Sequence, residues 1–124
     1  MLSHRPVPTS DFTLRLEAPD SRTRVVAVTG EVDLTAAPDL RDQIGTAIED
    51  GAERVLVDLS GATLVDSSVL GVLVGAMRRL RRRHGDLGLV GGDPAVERVL
   101  TVTGLDELLV VAPSRDEALA RLAA

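Results

Sequence analysis

Apolar and polar positions change rhythm along this chain, from alternation to a spacing of three and four and back again. Phe12, Leu14 and Leu16 alternate with Thr13, Arg15 and Glu17, which predicts a strand with one wet face, suited to the edge of a sheet. Asp20-Ser21-Arg22 makes a turn, and Arg24 to Val32 follow as a second strand whose Val25-Val26-Ala27-Val28 centre is apolar on both faces. So short a connection predicts antiparallel pairing. Gly30-Glu31-Val32-Asp33-Leu34-Thr35 then leads into a helix, with Thr35 as its cap and Pro38 in the first turn, where a missing N–H costs little. Leu40, Ile44, Ala47 and Ile48 recur at helical spacing until Asp50-Gly51 stops the run. Arg54 to Asp58 form a third strand, buried on both faces. Strand, helix and strand in that order imply a right-handed crossover between parallel neighbours.

Beyond Asp58 a loop of small and polar residues ends at Asp66-Ser67-Ser68. Leu70, Leu73, Val74 and Met77 trace one face of a second helix, from about Ser68 to Arg83, closed by His84-Gly85. Leu87 to Val90 make a fourth strand. Gly91-Gly92-Asp93-Pro94 opens a third helix, with Asp93 as cap and Val96, Val99 and Leu100 as its apolar face, ending at Gly104. Leu108 to Val111 form a fifth strand, and Ser114 with Glu117 a capping box before Ala118, Leu119 and Leu122. The expected fold is α/β: one domain over residues 11–124, with a mixed five-stranded sheet, antiparallel in its opening hairpin and largely parallel after it, and four helices. Met1 to Ser10, with two prolines and no period, read as a loose tail.

Composition narrows the function classes. With Phe12 as the one aromatic residue, the core is aliphatic and no stacking platform for bases or flat cofactors exists. A net charge of -5 argues against a nucleic-acid partner. Without cysteine there are no disulfides or thiolate metal sites, as suits a reducing cytosol. No apolar run reaches the length that spans a bilayer, and MLSHRPVPTSD lacks the apolar centre of a signal peptide, so a cytoplasmic protein is expected.

In parallel sheets the loops leaving the C-terminal strand ends share one edge, where sites collect. Three loops meet that description: those of Asp33, of Asp66-Ser67-Ser68 and of Gly91-Gly92-Asp93. Ser and Asp at a helix start are caps first of all, but capping needs only one of the three residues at 66–68. A serine there also suits a phosphate, because unpaired N–H groups and the positive end of the helix dipole favour an anion. A phosphate on Ser67 would add about -1.5 to -2 charges beside Asp66 and Asp33, felt by a partner and not by the core. Ser67 as an enzymic nucleophile needs a base in reach. Of the two histidines, His84 lies at the far end of the same helix, roughly 25 Å away at about 1.5 Å per residue, and His4 is in the tail. The chain therefore reads as no enzyme, with no cofactor and no metal. Arg78-Arg79-Leu80-Arg81-Arg82-Arg83 reads as a solvated face that complements the helix C-terminus. Gly91-Gly92-Asp93 lacks the lysine and glycine spacing of a phosphate-binding loop.

Gly30-Glu31-Val32-Asp33 with Thr35 and Leu40, then Leu64-Val65-Asp66-Ser67-Ser68 with Leu70-Gly71, then Thr103-Gly104-Leu105, resemble the anti-sigma factor antagonists of the STAS superfamily over roughly Phe12 to Leu122. The resemblance implies a small α/β domain that binds an anti-sigma serine kinase and so releases a sigma factor, with ATP and magnesium supplied by the kinase. It implies phosphorylation of Ser67, after which the kinase lets go, and a contact with the kinase through Asp33. Thr35, Asp66, Ser68, Val69 and Leu70 are expected to complete the partner surface. Val69 departs from the pattern, since the family usually has glycine there, and a β-branched side chain would narrow a kinase's approach. The alternative is a scaffold or transporter-associated subunit of the same fold that has lost phosphorylation.

Overall fold

The computed structural model describes residues 12–123, and the expected tail lies outside them. Within that span five strands and five helices follow in the order β1 (Phe12–Asp20), β2 (Thr23–Val32), α1 (Ala37–Glu49), β3 (Arg54–Val65), α2 (Ser67–Arg81), β4 (Asp86–Val90), α3 (Pro94–Val102), α4 (Leu105–Leu108), β5 (Val110–Ala112) and α5 (Arg115–Ala123). The sheet runs β1-β2-β3-β4-β5. β1 pairs antiparallel with β2, and every later pair is parallel. Four of the helices are those the apolar spacing predicts. The fifth, α4, has four residues, too few to show a helical period in the sequence.

Alternation along the central strands divides the core between two faces. Val26, Val28, Val55, Val57, Leu87 and Leu89 belong to a large cluster with Leu40 and Ile44 of α1 and Leu73, Met77 and Leu80 of α2. Val25, Leu56 and Val90 point the other way, where Ala118, Leu119 and Leu122 of α5 cover them. Gly88 makes that cover possible, since a Cβ there would sit 3.0 Å from a Leu122 methyl. Arg115 ties the start of α5 to the sheet. Its Nε donates to Asp58 Oδ2 at 2.6 Å, and its terminal nitrogen donates to both Glu17 oxygens at 3.1 Å.

Several boundaries differ from the sequence expectation, each for a local reason. β3 does not end at Asp58 but continues through Ser60-Gly61-Ala62-Thr63-Leu64 to Val65, paired with β2 across two register shifts. Those residues read as a loop because they are small and polar. The strand they form is irregular, with bulges that break the apolar alternation. α1 begins at Ala37 with Ala36 as N-cap and no side-chain cap, so Thr35 does not cap it. At its end Gly51 takes φ 96°, a left-handed turn open to glycine. Asp93 does cap α3, accepting from Ala95 N–H at 2.8 Å. Half of the capping box forms, with Glu117 N–H donating to Ser114 Oγ at 3.2 Å, while the Glu117 carboxylate turns to Arg121. β5 begins two residues later than expected because α4 occupies Leu108 and Leu109 is its C-cap.

The arginine run is not simply a solvated face. Arg81 donates to Asp86 Oδ1 at 2.9 Å and to Leu108 O at 2.8 Å, and Arg83 donates to Ile48 O at 2.8 Å, at the end of α1.

Candidate functional site

The rim of interest is set by one rung of the sheet. Val32 at the end of β2 and Val65 at the end of β3 are paired in parallel register, and both are buried. Asp33 and Asp66 come immediately after them, so these carboxylates start neighbouring connections, about 4.8 Å apart at the strands that carry them. Asp66 N–H donates to Val32 O at 3.2 Å, which pins the two connections to each other. Asp33 and the Asp66-Ser67-Ser68 segment therefore share an edge.

Each aspartate closes the same small turn. Asp33 Oδ1 accepts from the Thr35 N–H at 3.0 Å and from the Thr35 hydroxyl at 2.6 Å. Asp66 Oδ1 accepts from the Ser68 N–H at 3.0 Å and from the Ser68 hydroxyl at 2.5 Å, and again from Val69 N–H at 3.3 Å. These are two side-chain turns of one design, in which residue i accepts from residue i+2 and residue i+1 stands at the apex. Ser67 occupies one apex and Leu34 the other. Both are exposed, and Leu34 keeps 68% of its surface in solvent.

This geometry sorts the two serines. Ser68 is half-buried and its hydroxyl is committed to Asp66. Ser67 is exposed and its hydroxyl makes no hydrogen bond among the described residues. The first-turn N–H groups are less available to a phosphate than helix position alone suggests. Asp66 holds those of Ser68 and Val69 through its carboxylate and that of Leu70 through its carbonyl. A phosphate on Ser67 would consequently have few helix N–H groups to draw it back onto the helix.

Two other expected partner residues sit deeper. Val69 is fully buried within the large cluster, so its side chain cannot touch a visiting protein, and the expectation that it narrows the approach to Ser67 fails for that reason. Leu70 is 7% exposed and lies at the lip of a shallow groove shared with Gly71, Val74, Gly75, Arg78, Thr103 and Leu105. Thr35 is exposed, but its hydroxyl serves Asp33.

The Gly91-Gly92-Asp93 loop does not reach the rim. β4 ends at Val90, level with Asp58, and Gly92 lies against the Ser60 backbone, whereas β3 runs on to Val65. At about 3.3 Å per strand residue that leaves the loop roughly 15–20 Å short of Asp66. Gly91 is also packed under the Glu97 carboxylate, which repels an anion. His84 is exposed at the opposite end of α2, with φ 64°, and supplies no base to Ser67. Among the described residues no three His, Asp or Glu side chains converge as a metal site, and no helix is long and apolar enough to cross a membrane.

Sequence reasoning missed Leu34. Its signal was an apolar residue between two polar loop residues, outside both the strand alternation and the helical stripe that begins at Leu40.

The chain resembles known proteins over nearly its whole length. The sequence profile of the STAS domain matches residues 16–118. An anti-sigma-B factor antagonist of Staphylococcus aureus (strain NCTC 8325 / PS 47) is 30% identical over 86 residues, covering 69% of this chain and 80% of that protein. Among solved structures, an anti-sigma factor antagonist from Mycobacterium paratuberculosis superposes with a TM-score of 0.84 at 31% identity, over 94% of this chain and 98% of that one. The anti-sigma factor antagonist SpoIIAA in its unphosphorylated form gives 0.78 at 29% identity, over 90% and 96%. SpoIIAA from Bacillus in its phosphorylated form gives 0.70 at 27% identity, over 88% and 98%.

Proposed function

Because the chain belongs to the STAS domain family, we propose that it is an anti-sigma factor antagonist switched by phosphate. In its unmodified form it docks the Asp33–Ser67 edge on an anti-sigma serine kinase, and a sigma factor is released. The kinase brings the ATP, the magnesium and the base, and transfers a phosphoryl group to Ser67, whereupon the pair separates. The chain itself is a regulator and not an enzyme. One observation carries this reading: of the two adjacent serines, Ser68 is bound to Asp66 while Ser67 is exposed and makes no hydrogen bond among the described residues. SpoIIAA, a relative of the same fold, exists in both phosphorylated and unphosphorylated forms.

The energetics need no rearrangement of the fold. A phosphate adds about -1.5 to -2 charges at an apex already flanked by Asp33 and Asp66. Like charges brought together across an interface cost several kcal/mol, and each 1.4 kcal/mol is about tenfold in affinity. The burial of Val69 in the core speaks against the alternative of a constitutive scaffold, for which that valine was the sequence sign of lost phosphorylation.

Titration of a purified anti-sigma serine kinase tests the proposal. Ser67→Asp should bind at least about tenfold more weakly than wild type. Ser67→Ala should bind like wild type and resist release on adding ATP. Equal affinity of all three forms, with and without ATP, would rule the switch out.

A further inference from the structure

Resting on the function proposed above, we infer that Leu34 is the apolar anchor of the docking edge and helps decide which kinase the chain accepts. A single exposed leucine is ordinary on a protein surface. The place of Leu34 is not. It stands at the apex of the Asp33–Thr35 turn, the structural twin of the turn that presents Ser67, and the strands leading to the two apices are paired at Val32 and Val65. A surface that docks across both connections would cover Leu34 together with the Ser67 hydroxyl.

The turn is built to hold that side chain out. Asp33 Oδ1 takes the Thr35 N–H and hydroxyl, Ala36 N–H donates to Asp33 O at 3.0 Å, and Ala36 and Ala37 behind it are buried. A turn whose backbone is fixed in this way loses little freedom on binding, which favours affinity. Asp33 and Asp66 enter no ion pair among the described residues. The complementary surface is thus an apolar pocket with a cationic group at its margin, close to the site that delivers the phosphoryl group. Since the leucine is buried equally in the docked complex and in the transition state of transfer, it contributes uniform binding and no rate.

The test compares unphosphorylated wild type, Leu34→Ala and Leu34→Asp against a purified anti-sigma serine kinase, by titration without ATP and by transfer kinetics with it. Leu34→Ala should raise the Kd and the KM for phosphorylation by about tenfold each, with kcat within about twofold and the thermal midpoint unchanged. Leu34→Asp should weaken binding further, although Ser67 carries no phosphate. If wild type binds and is phosphorylated while Leu34→Ala matches it in Kd and KM, the anchor is refuted and the switch stands. A fall in kcat at constant KM would also refute it. A wild-type chain that neither binds nor gains phosphate overturns the anchor and the switch together.

Discussion

One oxygen of Asp66 accepts three hydrogen bonds, and the side chain thereby has two duties. It caps α2, and it engages the Ser68 hydroxyl, leaving Ser67 for the phosphorylation proposed above. Asp66→Ala should cost about 1 kcal/mol, within the usual range of 0.5–2 for a lost N-cap, lowering the thermal midpoint by roughly 3–5 °C. It should also release the Ser68 hydroxyl, so that phosphosite mapping after kinase treatment finds a minor product at Ser68. Val69 gives a sharper contrast between packing and access. Replacing it with the glycine usual in the family empties a fully buried site and weakens the first turn of α2, at an expected cost of about 2–4 kcal/mol. Val69→Gly should therefore melt earlier in differential scanning calorimetry while accepting phosphate at the wild-type rate. Faster transfer to that variant would mean that Val69 obstructs the acceptor after all.

Among the helices, α5 joins an apolar contact to one ionic anchor. It reaches the sheet through Ala118, Leu119 and Leu122 and is held at its start by Arg115 between Asp58 and Glu17. Arg115→Ala leaves Asp58, only 7% exposed, without its cation, and should cost about 1–3 kcal/mol by urea unfolding. Phosphorylation of Ser67 should survive, since this network stands on the other face of the sheet from α2. None of it could be foreseen. Asp58 lies in a run that reads as a buried apolar strand, its partner Arg115 is 57 positions away, and the Glu17 that shares this arginine is 98 positions from it. Elements with a full apolar period were legible: α1, α2, α3 and the paired core of the sheet follow from Leu40, Leu73, Val96 and their repeats. The continuation of β3 was hidden because bulges erase the two-residue rhythm, and α4 because one turn shows no rhythm at all. The rim was half legible. Parallel topology brought Asp33 and Ser67 to one edge, but only the strand lengths reveal that Gly91-Gly92-Asp93 stops well below it. Local turns decide which hydroxyl is left without a partner among the described residues, and the bonds that Thr35 donates to Asp33 cannot be distinguished from a helix cap in the sequence.

For the molecule as a whole, the same separation of faces shapes its response to pH. Burial pushes the Asp58 carboxyl up, but hydrogen bonds from Ser60 and Arg115 outweigh it and hold the group below the usual carboxylate range. Asp20 is likewise held low, chiefly by the Arg22 N–H and then by the Thr23 hydroxyl. On unfolding both return to about 3.9, so the unfolded chain takes up protons first. Their stabilisation is complete above roughly pH 5 and is lost as the pH falls through the folded values. The thermal midpoint should hold steady from pH 7 to 5 and decline toward pH 3, with a shallower decline in Asp58→Asn. These groups belong to the scaffold and lie apart from the carboxylates of the proposed docking edge, so stability and the proposed switching should vary independently. Intact-mass and peptide mapping of the chain after incubation with a purified anti-sigma serine kinase and ATP, followed by titration of the purified product against that kinase, examines the switch itself. A single phosphate on Ser67, an unchanged fold and at least about tenfold weaker binding are expected. A phosphate placed elsewhere, or one on Ser67 that leaves the affinity as it was, would contradict it.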